Sequence, residues 1–107
     1  MKIEVLHVLG CPFHRSAVKL IENVLQAAGV TTDIHEVLIR DEKMATELKF
    51  PGSPTIRING NDVAGNTHPP ENFALSCRLY SGSPHIGLPP DEMIWRAVLE
   101  AWQGEAE

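Results

Sequence analysis

Lys2-Ile3-Glu4-Val5-Leu6-His7-Val8-Leu9-Gly10-Cys11-Pro12-Phe13-His14 joins an apolar strand pattern to the start of a helix pattern, and the fold is read outward from that junction. Residues 2–9 alternate at first and then become nearly continuously apolar, as a central strand does. Gly10 breaks the run. Over residues 12–29, Ala17, Val18, Ile21, Val24, Leu25 and Ala28 recur at three- and four-residue steps, the stripe of an amphipathic helix. Pro12 suits the first helical position and Gly29 the C-terminal stop, which makes Cys11 the expected N-cap. A sulfur there receives the N–H of Phe13 or His14, and the positive end of the helix dipole favours thiolate over thiol. Cys11 is therefore the residue expected to carry chemistry, against the plainer alternative of a small, inert, buried cysteine.

Working onward, residues 30–40 are rich in β-branched side chains and read as a second strand. Strand, helix and strand at these lengths form a βαβ unit with parallel strands. Asp41 is placed to cap a short helix over residues 42–49, with Met44, Ala45 and Leu48 facing inward. Pro51-Gly52-Ser53-Pro54 ends it. Extended runs at 55–58 and 61–64 flank Asn59-Gly60, a pair suited to the two positive φ angles of a type I′ hairpin turn. A last helix is expected over residues 91–102, with Met93, Ile94, Val98, Leu99 and Trp102 as its apolar face. Tyr80, Trp95 and Trp102 are assigned to packing. Residues 65–88 form a long turn-rich connection, within which 74–80 read as extended. The expected architecture is an α/β domain over 1–107, ordered β-α-β-α-β-β-α, with a mixed central sheet and a long loop before the last helix.

Composition narrows the functional classes. The chain of 107 residues is 43% hydrophobic and 21% charged, ordinary for one soluble globular domain. A net charge of −5, from 9 basic and 14 acidic residues, argues against nucleic acid or an anionic membrane surface as partner. No apolar run approaches the roughly 20 residues of a membrane span. A cytoplasmic location is the expectation, where cysteines stay reduced and are reactive or inert rather than cross-linked. No phosphate-binding glycine loop, spaced carboxylate pair or nucleophile elbow is present, so no cofactor is expected. The histidines lack the paired spacing of a zinc motif, so no metal site is assigned to them, and His7 reads as an ordinary strand residue.

The element order, a cysteine at the first helix and Ser53-Pro54-Thr55 before the third strand together resemble the thioredoxin fold. That resemblance implies a cis peptide at Pro54, a loop lying beside Cys11, and a Ser53 backbone able to bind an extended substrate. Gly10-Cys11-Pro12, Gly52-Ser53-Pro54-Thr55 and Ser76-Cys77-Arg78-Leu79-Tyr80 are similar, in order and spacing, to a group of small bacterial thioredoxin-like proteins. Some members of that group carry selenocysteine at the first-helix position, and some are labelled alkylmercury lyase-like. The chain departs from the thioredoxin dithiol pattern, because His14 stands where Cys-x-x-Cys has its second cysteine.

The leading expectation is a thiol-based redox protein in which Cys11 is the nucleophile toward a disulfide, a peroxide or another electrophile, with His14 as its proton partner. His14 favours the thiolate when protonated and accepts the thiol proton when neutral; the plain alternative is a solvent-facing histidine. Pro12, Ser53 and Pro54 are the expected substrate-binding residues. Cys77, with Arg78 beside it, is the internal candidate to resolve the oxidised Cys11, and core filler is the alternative; a protein or small-molecule thiol is the external candidate. A competing class is capture of a soft metal or organomercurial by Cys11 and Cys77, and a third is a thioredoxin-like scaffold without chemistry.

Overall fold

The computed structural model describes residues 1–50, 52–64 and 88–106. They form a mixed four-stranded sheet with three helices. The elements are β1 (Ile3–His7), α1 (His14–Ala28), β2 (Ile34–Leu38), α2 (Glu42–Glu47), β3 (Thr55–Ile58), β4 (Asn61–Asp62) and α3 (Asp91–Ala106). The sheet order is β2-β1-β3-β4. β1 runs parallel to β2, with Ile3 opposite Ile34 and Val5 opposite Glu36. β3 is antiparallel to β1, pairing Leu6 with Thr55, and β4 returns antiparallel to β3. The turn between them has positive φ at both Asn59 (53°) and Gly60 (82°), as the Asn-Gly pair predicts. Among the described residues no helix is long and apolar enough to cross a membrane.

Strand alternation sorts side chains between two unequal layers. On one face Ile3, Val5, Ile56 and Ile58 meet Ala17, Ile21, Val24 and Leu25 of α1 and Ile94 and Val98 of α3. On the other, Leu6 packs with Ile39, Ala45 and Phe50 under α2. Each fully buried aliphatic or aromatic side chain contributes about 1.5–3 kcal/mol, so the α1/α3 face carries most of the apolar stabilisation.

The structure departs from the sequence reading at several element ends and on one helix face; β1 and β4 are shorter than read, and α3 runs on to Ala106. α1 starts at His14, not Pro12, because Pro12 and Phe13 form a turn and Phe13 is the N-cap, at φ −105° and ψ −1°. β2 is limited to the stretch that pairs with β1, five residues on each strand. α2 ends at Glu47, with Leu48 as its C-cap, and Leu48 is exposed where an inward position was expected. In α3 the apolar face is narrower than expected. Ile94 and Val98 are buried, whereas Leu99 and Trp102 are 46% and 50% exposed. At 3.6 residues per turn, Leu99 and Trp102 line up with the partly buried Trp95 on a second stripe, rotated away from the sheet. The extended reading of 74–80 lies outside the described residues.

Candidate functional site

The C-terminal end of β1 gathers the candidate residues. Beyond His7 the chain makes a β-turn over Val8-Leu9-Gly10-Cys11, in which the Cys11 N–H donates to the Val8 carbonyl at 3.2 Å. Gly10 sits at the third position with φ +76°, which a β-carbon would strain. Leu9, at the tip, is 88% exposed. Cys11 follows as a free, half-buried thiol, and Pro12 is exposed.

The expected cap is not made. Cys11 lies two residues before the N-cap Phe13, and no side chain caps α1. Pro12 is the cause: its ring disfavours helical geometry for the residue before it, so Cys11 ends the preceding turn and does not begin the helix.

The turn before β3 is fixed beside this segment. Continuing the β1–β3 register two places places Val8 opposite Ser53, and the Val8 N–H donates to Ser53 Oγ at 3.1 Å. The Thr55 hydroxyl donates to the Gly52 carbonyl at 2.6 Å, and Gly52 has φ 147°. The Ser53–Pro54 peptide is cis. Both side chains are fully buried, so neither offers a side-chain surface to a ligand; what this turn can present is backbone.

His14, the first residue of α1, is held from two sides. Its ring stacks on that of His7, with centroids 3.6 Å apart and planes 8° from parallel. Its Nε2 lies 2.5 Å from Oε1 of Glu36 in β2. The contact has the distance of an ion pair without the alignment of a linear hydrogen bond, and Nε2 is otherwise buried and unpartnered. The His14 side chain is 23% exposed and that of Glu36 49%. Burial lowers the pKa of His7, and the charge of His14 lowers it further; the Val8 carbonyl and Glu36 work against both.

The structure therefore brings Cys11, His14, Ser53 and Pro54 to one end of the sheet. His14 is not the freely solvated histidine of the plain alternative. Cys77 and Arg78 lie outside the described residues. Sequence reasoning missed Glu36 and the part played by His7. Alternation alone puts His7 on the same face as Ile3 and Val5, beneath the coming helix. Glu36 joins it only through the β1–β2 register, which no local pattern states.

Two open grooves lie elsewhere. One, of about 480 Å³, runs between the β3–β4 hairpin and α3 beside Asp62 and Arg96. The other, of about 470 Å³, follows α1 and the β2 edge and reaches Glu36. Neither is lined by Cys11, His14 or Ser53, and thiol exchange at a surface turn needs no enclosed cavity. Among the described residues no three His, Cys, Asp or Glu side chains are grouped to hold a metal ion. Comparison with protein-family models, with curated proteins and with solved structures finds no match to this chain.

Proposed function

We propose that this protein is a thioredoxin-like thiol redox protein in which Cys11 is the nucleophile. The observation that carries the reading is the Val8–Ser53 hydrogen bond, which ties the turn bearing Cys11 to the turn before β3. The strand order β2-β1-β3-β4, with β1 parallel to β2 and antiparallel to β3, agrees with the thioredoxin-like order of elements. A histidine at the start of α1 supplies a proton-handling group three residues from the sulfur.

The chemistry is a series of displacements. The Cys11 thiolate attacks one sulfur of a substrate disulfide; a Cys11–substrate S–S bond forms as the substrate's own S–S bond breaks. The departing thiolate takes a proton and leaves as thiol. A resolving thiol, Cys77 or an external one of the glutathione class, then attacks the Cys11 sulfur of the mixed disulfide; a disulfide between Cys11 and the resolving thiol forms, and the substrate's second sulfur leaves as thiol. Attack by one further external thiol, or by two where Cys77 resolved, releases Cys11; in either case two external thiols end as one disulfide and their two electrons have passed to the substrate disulfide.

Alkylation by iodoacetamide on the wild type, Cys11→Ser and Cys77→Ser is the test. Cys11 is expected to react at least about tenfold faster than glutathione at pH 7, as an activated thiolate does. The fast reaction should vanish in Cys11→Ser and survive in Cys77→Ser. A Cys11 that reacts no faster than glutathione would sink the reading.

A further inference from the structure

Glu36 is an unusual residue for its place. The β1–β2 register sets it opposite Val5, on the sheet face that α1 covers and that is otherwise apolar along Ile3, Val5 and Ile34. Its carboxylate reaches the first residue of α1 and meets Nε2 of His14. His7, from β1, supports the same ring from beneath. Two strands thus each place a side chain against one imidazole, His7 on its face and Glu36 beside its Nε2, while the preceding turn carries the cysteine. Holding a side chain this way costs rotamer entropy, and two stacked imidazoles resist double protonation. Packing alone would be served better by an aliphatic residue at position 7.

We infer that Glu36 is a positioning residue for His14, holding the proton on Nε2 so that Nδ1 is the nitrogen that exchanges a proton with the thiol chemistry at Cys11. This rests on the thiol reading above. A carboxylate only accepts, so its approach to Nε2 favours the tautomer that carries the hydrogen there and leaves the lone pair of the neutral ring on Nδ1. A nucleophile, a base and a third group orienting the base form a recurring catalytic arrangement, and such contacts are commonly misaligned before substrate binds.

The proton balance closes within the site. Nδ1 of neutral His14 takes the thiol proton of Cys11, giving imidazolium and thiolate. The thiolate displaces one thiolate of the substrate disulfide, and the imidazolium returns its proton to that leaving group. His14 ends neutral, and one proton has moved from Cys11 to the released thiol.

Exchange with oxidised glutathione, at neutral pH and in the intact protein, tests the role in Glu36→Ala, Glu36→Gln and Cys11→Ser. Glu36→Ala should slow exchange about tenfold, a fraction of what general acid–base catalysis supplies. Glu36→Gln keeps an acceptor oxygen and should recover most of the rate. In ¹⁵N spectra, His14 should pass from a single Nε2–H tautomer in the wild type to a mixture in Glu36→Ala, a change that a merely structural role would not produce. Equal rates in Glu36→Ala and wild type, with exchange lost in Cys11→Ser, would overturn the positioning role and leave the thiol reading intact. A slowed Glu36→Ala with unaltered His14 nitrogens would overturn it too, since the effect would not pass through His14. Exchange that persists unchanged in Cys11→Ser would remove the thiol reading and this role together.

Discussion

α1 and α2 begin in opposite ways. Asp41, in extended geometry, accepts a hydrogen bond from the Met44 N–H at 2.8 Å, and Glu42 adds an acidic group in the first turn of α2. α1 begins on Phe13, which has no side chain to cap with, and its first turn holds no acidic residue. The far ends differ as well. α2 stops where Nη2 of Arg57 donates to the carbonyls of Leu48 and Lys49, at 2.6 and 3.0 Å. α1 closes on the left-handed Gly29, whose N–H returns to the last turn. A six-residue helix cannot sustain itself in water, so α2 is fastened by side chains at both ends. α1 has 15 residues and buries Ala17, Ile21, Val24 and Leu25, which leaves its start free to serve another purpose. That start is where Cys11 and His14 lie. Capping stability is forgone at the one helix start that borders the candidate chemistry.

The largest expected effect tests whether the buried stripe holds α1. Ile21 is fully buried between the sheet and α3. Ile21→Ala removes its methylenes and leaves a cavity, so unfolding in urea should show a loss of about 2–5 kcal/mol. A loss below about 1 kcal/mol, within the range of an ordinary surface or cap change, would mean that α1 is held by something other than its stripe. The contrast with α2 would then fail.

A smaller effect tests the other half of the comparison. Asp41→Ala should lower stability by about 1 kcal/mol, the usual worth of an N-cap hydrogen bond. Phe50 sits beneath α2, with its N–H on the Ala45 carbonyl, so the loss should appear as earlier exposure of this side of the sheet. Hydrogen exchange at Ala45 and Phe50 should quicken while exchange at Val24 and Leu25 stays unchanged. Equal quickening on both faces would show that α2 has no separate stability of its own.

What was legible in the chain follows the same division. The Asp41 cap, the Gly29 stop and the Asn59-Gly60 turn are local, each set by a residue acting on its own few neighbours, and all three were readable without coordinates. The α1 stripe was readable because four of its six apolar positions are buried, at helical spacing. The start of α1 was not. Pro12 suits a first helical position and a turn equally well, and only the geometry of Phe13 separates the two. Of the site, Cys11, His14 and the Ser53-Pro54 turn stood out as motifs. Glu36 did not, because its meaning depends on sliding β2 into register with β1, a non-local choice. Leu99 and Trp102 misled for a related reason: an apolar residue one stripe over looks the same in a periodicity count.

The smallest expected effect is a pH dependence confined to the start of α1. His7 in the folded protein has a pKa below its ordinary value of about 6.5, because it is desolvated and faces His14. As pH falls below about 6.5, the unfolded chain takes up a proton at this residue that the folded chain does not yet take. Stability supplied by a neutral His7 is therefore complete above that pH and declines on acidification, until the folded protein also protonates. The decline should be smaller than the loss from Asp41→Ala, because Glu36 and the Val8 carbonyl offset part of the shift. His7→Leu keeps an apolar side chain over the sheet and removes the titration, so its stability should vary less than that of the wild type between about pH 6.5 and 5. Urea midpoints of the two proteins across that interval measure the difference directly. Parallel curves would mean that the stack does not resist protonation, and the start of α1 would then be as indifferent to acid in this range as any solvated histidine allows.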